Sequence, residues 1–217
     1  MRSTAGLQPL AAADLGEKAA ETLARVRELF GAEPIPEPFF VYARNPAFLH
    51  DFYMNLKRFV LTPGKLQLKS KLLIAYCAAV VLDCRTWRDV FAARLESVGA
   101  TEAEIAGAAS VAATCAMYNV LFKFRDMAGS DAFRGMPVCL RGFALAGSGL
   151  DEKTVETINV AVSDLNGCKP CTAGHVARAL EIGVSEEALY EAVQAAAAVA
   201  SGAVFLRAAS SMASGTA

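Results

Sequence analysis

Asn166-Gly167-Cys168-Lys169-Pro170-Cys171-Thr172-Ala173-Gly174-His175 reads as a turn followed by the start of a helix, and the rest of the chain is arranged around it. Upstream, Val155, Ile158, Val162 and Leu165 recur at helical spacing from about Asp151 to Leu165, with Glu156, Asn159 and Ser163 on a different stripe. Asn166-Gly167 then reverses the chain. Pro170 fits a first helical turn, where its φ is already set and its missing N–H loses no intrahelical bond. On the helix it opens, Cys168, Cys171 and His175 follow at i, i+3 and i+7, so the three side chains share one stripe. A cysteine in the first turn feels unpaired N–H groups and the positive end of the macrodipole, which both favour thiolate. His175, one turn beyond Cys171, is placed to take its proton. Glu156, on the preceding helix folded back against this one, is placed to hold His175 in one tautomer, the third-group logic of an activated nucleophile. Spacing alone serves equally well for a solvated Glu156 beside Lys153.

The same layout occurs earlier. With Cys84 set on Cys168, an offset of 84 residues also puts Lys69 on Lys153, Ala75 on Asn159, Arg94 on Arg178, Gly99 on Gly183, Thr101 on Ser185 and Ile105 on Leu189. An internal duplication is the economical account. In each half a helix runs into the cysteine, a second ends at the glycine, and Thr101 or Ser185 caps a third; Thr101 with Glu104 fits a capping box. The chemistry is not repeated. Cys171 falls on Trp87, His175 on Phe91 and Glu156 on Leu72, so the first half reads as structural support.

No convincing period-two alternation occurs anywhere, and the expected fold is all-α, a helical bundle built from two such units. An amphipathic helix is expected from about Asp14 to Phe30 and a stiff connector through Pro34, Pro36 and Pro38. A second helical pattern starts at Pro46 and runs to Val60. The expected organisation is one domain over 1–217. It comprises a helical extension and Pro-rich connector (1–45), a degenerate first repeat (46–128), a linker loop (129–149) and a second repeat with the C-x-x-C site (150–217).

A net charge of −1 with 20% charged residues gives no basic stripe for nucleic acid or an anionic membrane. Lys57-Arg58, Lys69/Lys71 and Lys123/Arg125 read as helix surfaces. The apolar runs Leu72–Leu82 and Ala195–Leu206 are short for a bilayer and read as buried helices. Gln8, Pro9 and Asp14 interrupt any apolar signal-like region, and a cytoplasmic protein is expected. Of the six cysteines, Cys77, Cys84, Cys115 and Cys139 sit singly, and three of these, in apolar helical contexts, read as core thiols. His50 beside Asp51 reads as a surface or capping residue, and Trp87 as filling the place of the missing thiol.

The E-x11-C-x2-C-x3-H spacing from Glu156 to His175, the run Val162-Ser163-Asp164-Leu165-Asn166-Gly167-Cys168 and the segment Met117-Tyr118-Asn119-Val120-Leu121-Phe122-Lys123-Phe124-Arg125 resemble the alkylhydroperoxidase D family within the carboxymuconolactone decarboxylase-like proteins. The resemblance covers most of the chain from about Pro46. It implies an all-helical homo-oligomer, trimer or hexamer, that reduces organic hydroperoxides through a Cys/disulfide cycle. Carried over by position, Cys171 is the attacking thiol, Cys168 the resolving thiol, His175 the base and Glu156 the outer member of the proton relay. The chain departs from the pattern at Pro170, where peroxidase members often carry a second histidine.

No flavin, haem or nicotinamide fingerprint is visible, and no cofactor or metal is expected; electrons then come from an external dithiol, a partner protein or a carried lipoyl-type group. Zinc on Cys168, Cys171, His175 and Glu156 is a weaker alternative, because C-x2-C-x3-H is compact and there is no second C-x-x-C pair. Decarboxylase-like proton transfer by Glu156 and His175 leaves the cysteine pair without a purpose. A general thiol–disulfide oxidoreductase and a non-catalytic helical assembly module remain the other readings.

Overall fold

The computed structural model describes residues 6–31 and 34–209; the remainder of the domain bounds drawn above lies outside the described residues. Among these the chain is all-α, with ten α-helices and a single bridge, Leu7 to Ala209, in place of any strand. The first helix, α1 (Glu17–Phe30), starts later than its amphipathic pattern suggests, because Ala12–Asp14 forms a 3₁₀ turn and Gly16 is extended as N-cap. Pro38 does not continue a connector. It opens α2 (Pro38–Tyr42), since a proline at the first helical position sacrifices no hydrogen bond. Asn45 caps α3 (Pro46–Asn55) through Phe48 N–H, and the helix widens into a π-turn at Leu56–Val60.

The first repeat is α4 (Leu68–Val81), α5 (Arg85–Ser97) and α6 (Glu102–Met127); the second is α8 (Glu152–Leu165), α9 (Lys169–Glu181) and α10 (Glu186–Leu206). A short α7 (Phe143–Ala146) lies in the segment between them. The backbone repeats as the side chains suggest. Cys84 and Cys168 are both N-caps, with φ/ψ of −97°/83° and −94°/87°. The residue before each cysteine has positive φ, 51° at Asp83 and 63° at Gly167. Gly99 and Gly183 end α5 and α9 at φ 79° and 84°, and Thr101 and Ser185 cap the third helices. The capping box of Thr101 with Glu104 is formed.

Each repeat folds its first two helices into a hairpin, α4 on α5 and α8 on α9, and α4 packs on α8 at the centre. The third helices cross over. α6 packs on α8, and α10 packs on α4, so each repeat lends its last helix to the other. α4 buries residues on every face, which is why Leu72–Leu82 shows no amphipathic period. α6 and α10 are long and apolar enough to cross a membrane by length and composition, α10 more so than its run Ala195–Leu206 suggests. In the bundle their small buried stripes, including Ala108, Ala112, Ala192, Ala195 and Ala196, pack against neighbouring helices.

The N-terminal helices explain the degenerate repeat. Phe39, Tyr42 and Phe52 close over the place where the first repeat's site would stand, and Trp87 packs among them with its ring 5.4 Å from Phe91. The indole N–H donates to Tyr42 Oη at 2.7 Å, and that hydroxyl donates to Gly202 O at 2.8 Å. Trp87 thus fills volume with its polar atom satisfied.

Lys71 corrects its reading as a surface residue. Its side chain is 2% exposed, with Nζ 3.1 Å from Glu191 Oε2 and 3.0 Å from Thr62 O. The same carboxylate accepts from Lys65 N and Leu66 N, fastening the turn before α4 to α10. Glu191→Ala strands a buried ammonium and two main-chain donors, and the expected cost is about 3–5 kcal/mol in urea unfolding.

Candidate active site

Three elements meet at the dithiol. Gly167 takes the positive φ that turns α8 into α9, and its N–H bonds Asp164 O while Cys168 N bonds Ser163 O. Lys123, on α6, donates to Asn166 O at 2.9 Å and so caps the end of α8. Cys168 is therefore held as the N-cap of α9, with Pro170 at the second helical position. Cys168 and Cys171 form a disulfide with a Cα–Cα distance of 5.3 Å, within the range that bridging requires. Cys168 is fully buried and Cys171 is 8% exposed. An open cleft lies beside the bridge, lined by Asp164, Gly167, Cys168, Lys169, Thr172 and Ala173.

Glu156 crosses from α8 to His175, with Oε2 2.8 Å from Nδ1. The solvated alternative does not hold: Lys153 bonds Gly183 O instead, and the Glu156 side chain is only 14% exposed. With Nδ1–H donated to the carboxylate, Nε2 is the nitrogen free to exchange a proton. Burial pulls the His175 pKa down, but the influence of Cys115 and of the Glu156 carboxyl bonded to Nδ1 outweighs it and raises the value from 6.5 to about 9. That shift favours the protonated ring beside Glu156 at neutral pH. His175 sits one turn from Cys171 on α9, where Cβ atoms are about 5–6 Å apart.

This shift has a stability consequence. Because the folded value lies above the unfolded one, the contribution is complete below pH 6.5 and is lost as pH rises through about 9. Its size is on the order of 3 kcal/mol. Urea unfolding of the oxidised protein at pH 6 and pH 9.5 is expected to show a loss that is absent in His175→Gln.

The spacing of α9 and α8 thus brings Cys168 to Cys171 and His175 to Glu156, but it does not reveal Cys115. Cys115 is buried, as a core thiol would be, yet its surroundings are polar: Ser163 Oγ lies 3.3 Å away, Asn159 O 3.7 Å and Asn119 Oδ1 3.8 Å. Asn119 Nδ2 donates to Ser163 Oγ at 3.0 Å, and Asn166 Nδ2 donates to Asn119 Oδ1 at 2.9 Å. Asn159, between Glu156 and Ser163 on the polar stripe of α8, is fully buried, and its side-chain amide meets no protein partner. A signal for this network is present in the duplication. The 84-residue offset sets Cys115 on Val199, Asn119 on Ala203, Asn166 on Leu82 and Ser163 on Ala79, polar in every case on the side of the second site and apolar in the first.

The other candidates separate. Phe122 lines a cleft with Arg125, Asp126, Arg134 and Pro170, beside the C-x-x-C loop, whereas Phe124 meets Phe133 edge to face. His50 is half exposed, with Asp51 3.8 Å from its Nδ1. The segment between the repeats runs back along α6, where Tyr118 Oη donates to Leu140 O, Arg125 to Met136 O, and Gly107 leaves room for Ser148 O. Among the described residues no group of three or more His, Cys, Asp or Glu has the geometry to hold a metal ion.

A duplicated all-α bundle with a C-x-x-C bridge at one helix start and a histidine–carboxylate pair behind it defines a narrow class. Residues 48–128 and 135–213 each match the Carboxymuconolactone decarboxylase family, and the chain belongs to it. Within that family it is similar to proteins named alkyl hydroperoxide reductase AhpD. It is 33% identical to one from Azorhizobium caulinodans over 76% of this chain and 90% of the relative. It is 36% identical to one from Rhodopseudomonas palustris over the same shares, and 32% identical to one from Anaeromyxobacter dehalogenans over 80% of this chain and 87% of the relative. The chain is AhpD-like, a family membership compatible with an oxidoreductase role.

Proposed function

We propose that this protein is a thiol-dependent peroxidase that reduces organic hydroperoxides through Cys171 and a Cys168–Cys171 disulfide. The observation that carries the reading is the pairing of His175 with Glu156 at 2.8 Å on the helix that begins with the bridged cysteines. In the reduced protein the Cys171 thiolate attacks the distal oxygen of ROOH; the O–O bond breaks, ROH leaves with a proton supplied by His175, and Cys171 becomes a sulfenic acid. Cys168 then attacks that sulfur, the S–S bond forms and water departs. The balance is two thiols and ROOH giving a disulfide, ROH and water. An external dithiol, on a partner protein or a lipoyl-type arm, returns two electrons by thiol–disulfide exchange, and His175 as imidazolium protonates the departing thiolate.

Pro170 leaves the relay without a second histidine between the cysteines, so His175 with Glu156 carries the proton traffic alone. A cycling dithiol of this kind suits the reducing cytoplasm. A homo-oligomer, trimer or hexamer, agrees with the exposed Val120, Phe124, Met127 and Phe143. The test is stoichiometric. Of six cysteines, four stay free beside the disulfide. One equivalent of tert-butyl hydroperoxide added to the reduced protein is expected to lower the thiol count from six to four, with the new bridge mapped to Cys168 and Cys171. An unchanged count, or a bridge between other cysteines, removes the reading.

A further inference from the structure

The duplication supplies an internal comparison at the start of the third helices. In the first repeat Glu104, in the first turn of α6, accepts three hydrogen bonds on its carboxylate: from Lys69 Nζ on α4 at 2.6 Å, from Thr101 N at 2.8 Å and from Thr101 Oγ1 at 3.1 Å. The 84-residue offset keeps the donors in the second repeat, as Lys153 on α8 and Ser185 at the start of α10, but sets Ala188 in the place of Glu104. The acceptor is not kept. Among the described residues no carboxylate pairs with Lys153 or accepts from Ser185 N, and the lysine reaches Gly183 O at a long 3.4 Å. Lys153, Ser185 and Ala188 instead line a cavity of about 410 Å³, the size of a small-molecule site, whose apolar wall includes Leu66, Ile74 and Val184. Of the other charges in the lining, Asp151 is held by Thr154 N at 3.0 Å and Thr154 Oγ1 at 2.6 Å, and Lys65 acts on Glu187 of α10. Lys153 is thus the cation left for a ligand, and the positive end of α10 lies beside it.

We propose that this cavity binds an organic monocarboxylate with an aliphatic body. Its head group takes from Lys153 Nζ and Ser185 N–H the bonds that Glu104 takes from Lys69 and Thr101 in the first repeat, and its body rests on Leu66, Ile74 and Val184. Charge-assisted bonds from a lysine and a main-chain donor give the head group its hold. Asp151 in the same lining disfavours anions of higher charge. The apolar wall favours longer acids over acetate, by about fourfold in affinity for each methylene that is buried. The site shares no lining residue with the cleft beside the disulfide, so the proposal stands or falls apart from the peroxidase reading.

The probe is sodium hexanoate, titrated at constant ionic strength into the full-length, isotope-labelled protein and followed by amide chemical shifts. The Ser185 amide is expected to shift saturably, with a Kd on the order of 1 mM or tighter. Acetate, with less apolar surface, and hexan-1-ol, with no charge, are each expected to bind at least about tenfold more weakly. Lys153→Gln is expected to weaken hexanoate at least about tenfold, because the ammonium is exposed enough to be removed without disturbing the core. Lys69→Gln, the matching change in the first repeat, is expected to leave the affinity within about twofold of wild type. Ala188→Glu puts a carboxylate on the chain at the position Glu104 occupies in the first repeat, and is expected to abolish hexanoate binding by taking the same donors. No saturation with hexanoate, equal affinity for hexan-1-ol, or equal affinity for inorganic phosphate each overturns the proposal. So does an affinity for hexanoate that Lys153→Gln leaves unchanged, or one that survives in folded Ala188→Glu. Should Ala188→Glu not fold, Lys153→Gln and the comparison with hexan-1-ol decide the matter.

Discussion

Cys171→Ser is expected to reduce steady-state hydroperoxide consumption, measured with a coupled dithiol, by at least about 1,000-fold. Serine at this position keeps the volume and the helix start, but its hydroxyl is not ionised near neutral pH, so the effect separates nucleophilicity from packing. Cys168→Ser has a different signature. The attacking thiolate is intact, one equivalent of peroxide is consumed in the first turnover, and Cys171 then rests as a sulfenic acid that dimedone labels, because no neighbouring thiol closes the bridge. A helical module without catalysis would give the same background rate for wild type and both variants. A general thiol–disulfide oxidoreductase would lose disulfide exchange in both while showing no peroxide burst in either.

Glu156→Gln is expected to be the second largest effect, on the order of 100- to 1,000-fold in kcat/KM at pH 7.5. Burial by itself lowers the pKa of His175, and with the carboxylate gone one of the interactions that oppose burial is removed. The midpoint then falls below about 9, and less of the ring is protonated when the external dithiol attacks the disulfide. Reduction of the bridge loses its general acid, and this half of the cycle slows. In the wild type the same logic predicts that disulfide reduction holds its rate up to about pH 9 and falls above it, as the imidazolium gives up its proton. In Glu156→Gln the fall is expected to begin at a lower pH. Stopped-flow tryptophan fluorescence of Trp87 offers no useful reporter, because that ring is buried in the first repeat among Phe39, Tyr42 and Phe52; thiol release by the attacking dithiol is the readout to follow.

Much of this was legible along the chain. The helical period of Val155, Ile158, Val162 and Leu165, the turn at Asn166-Gly167 and the first-turn Pro170 are local signals, and local sterics and hydrogen bonding enforce them in any fold that keeps the helices. The duplication was equally open to reading, because a backbone that needs positive φ before Cys168 and at Gly183 needs it again at the matching places. Asp83 obscures the match by occupying a left-handed position without a glycine. Lys71 was misread for a physical reason: a lysine in a helix ordinarily stays solvated, and its partner Glu191 lies 120 residues on in a helix that reaches it only by crossing over.

The sequence by itself determined an all-α chain of two similar halves, one of them bearing a cysteine pair and a histidine on a single helical stripe. Those features depend on neighbours within a turn or two, where the chain's own geometry fixes who can meet. Only the tertiary structure decided that Glu156 faces His175 rather than solvent, and that α6 delivers Cys115, Asn119 and Lys123 to the far repeat. Contacts of that kind are set by which helices cross and at what register, a property of the packed core as a whole that no short window of residues contains.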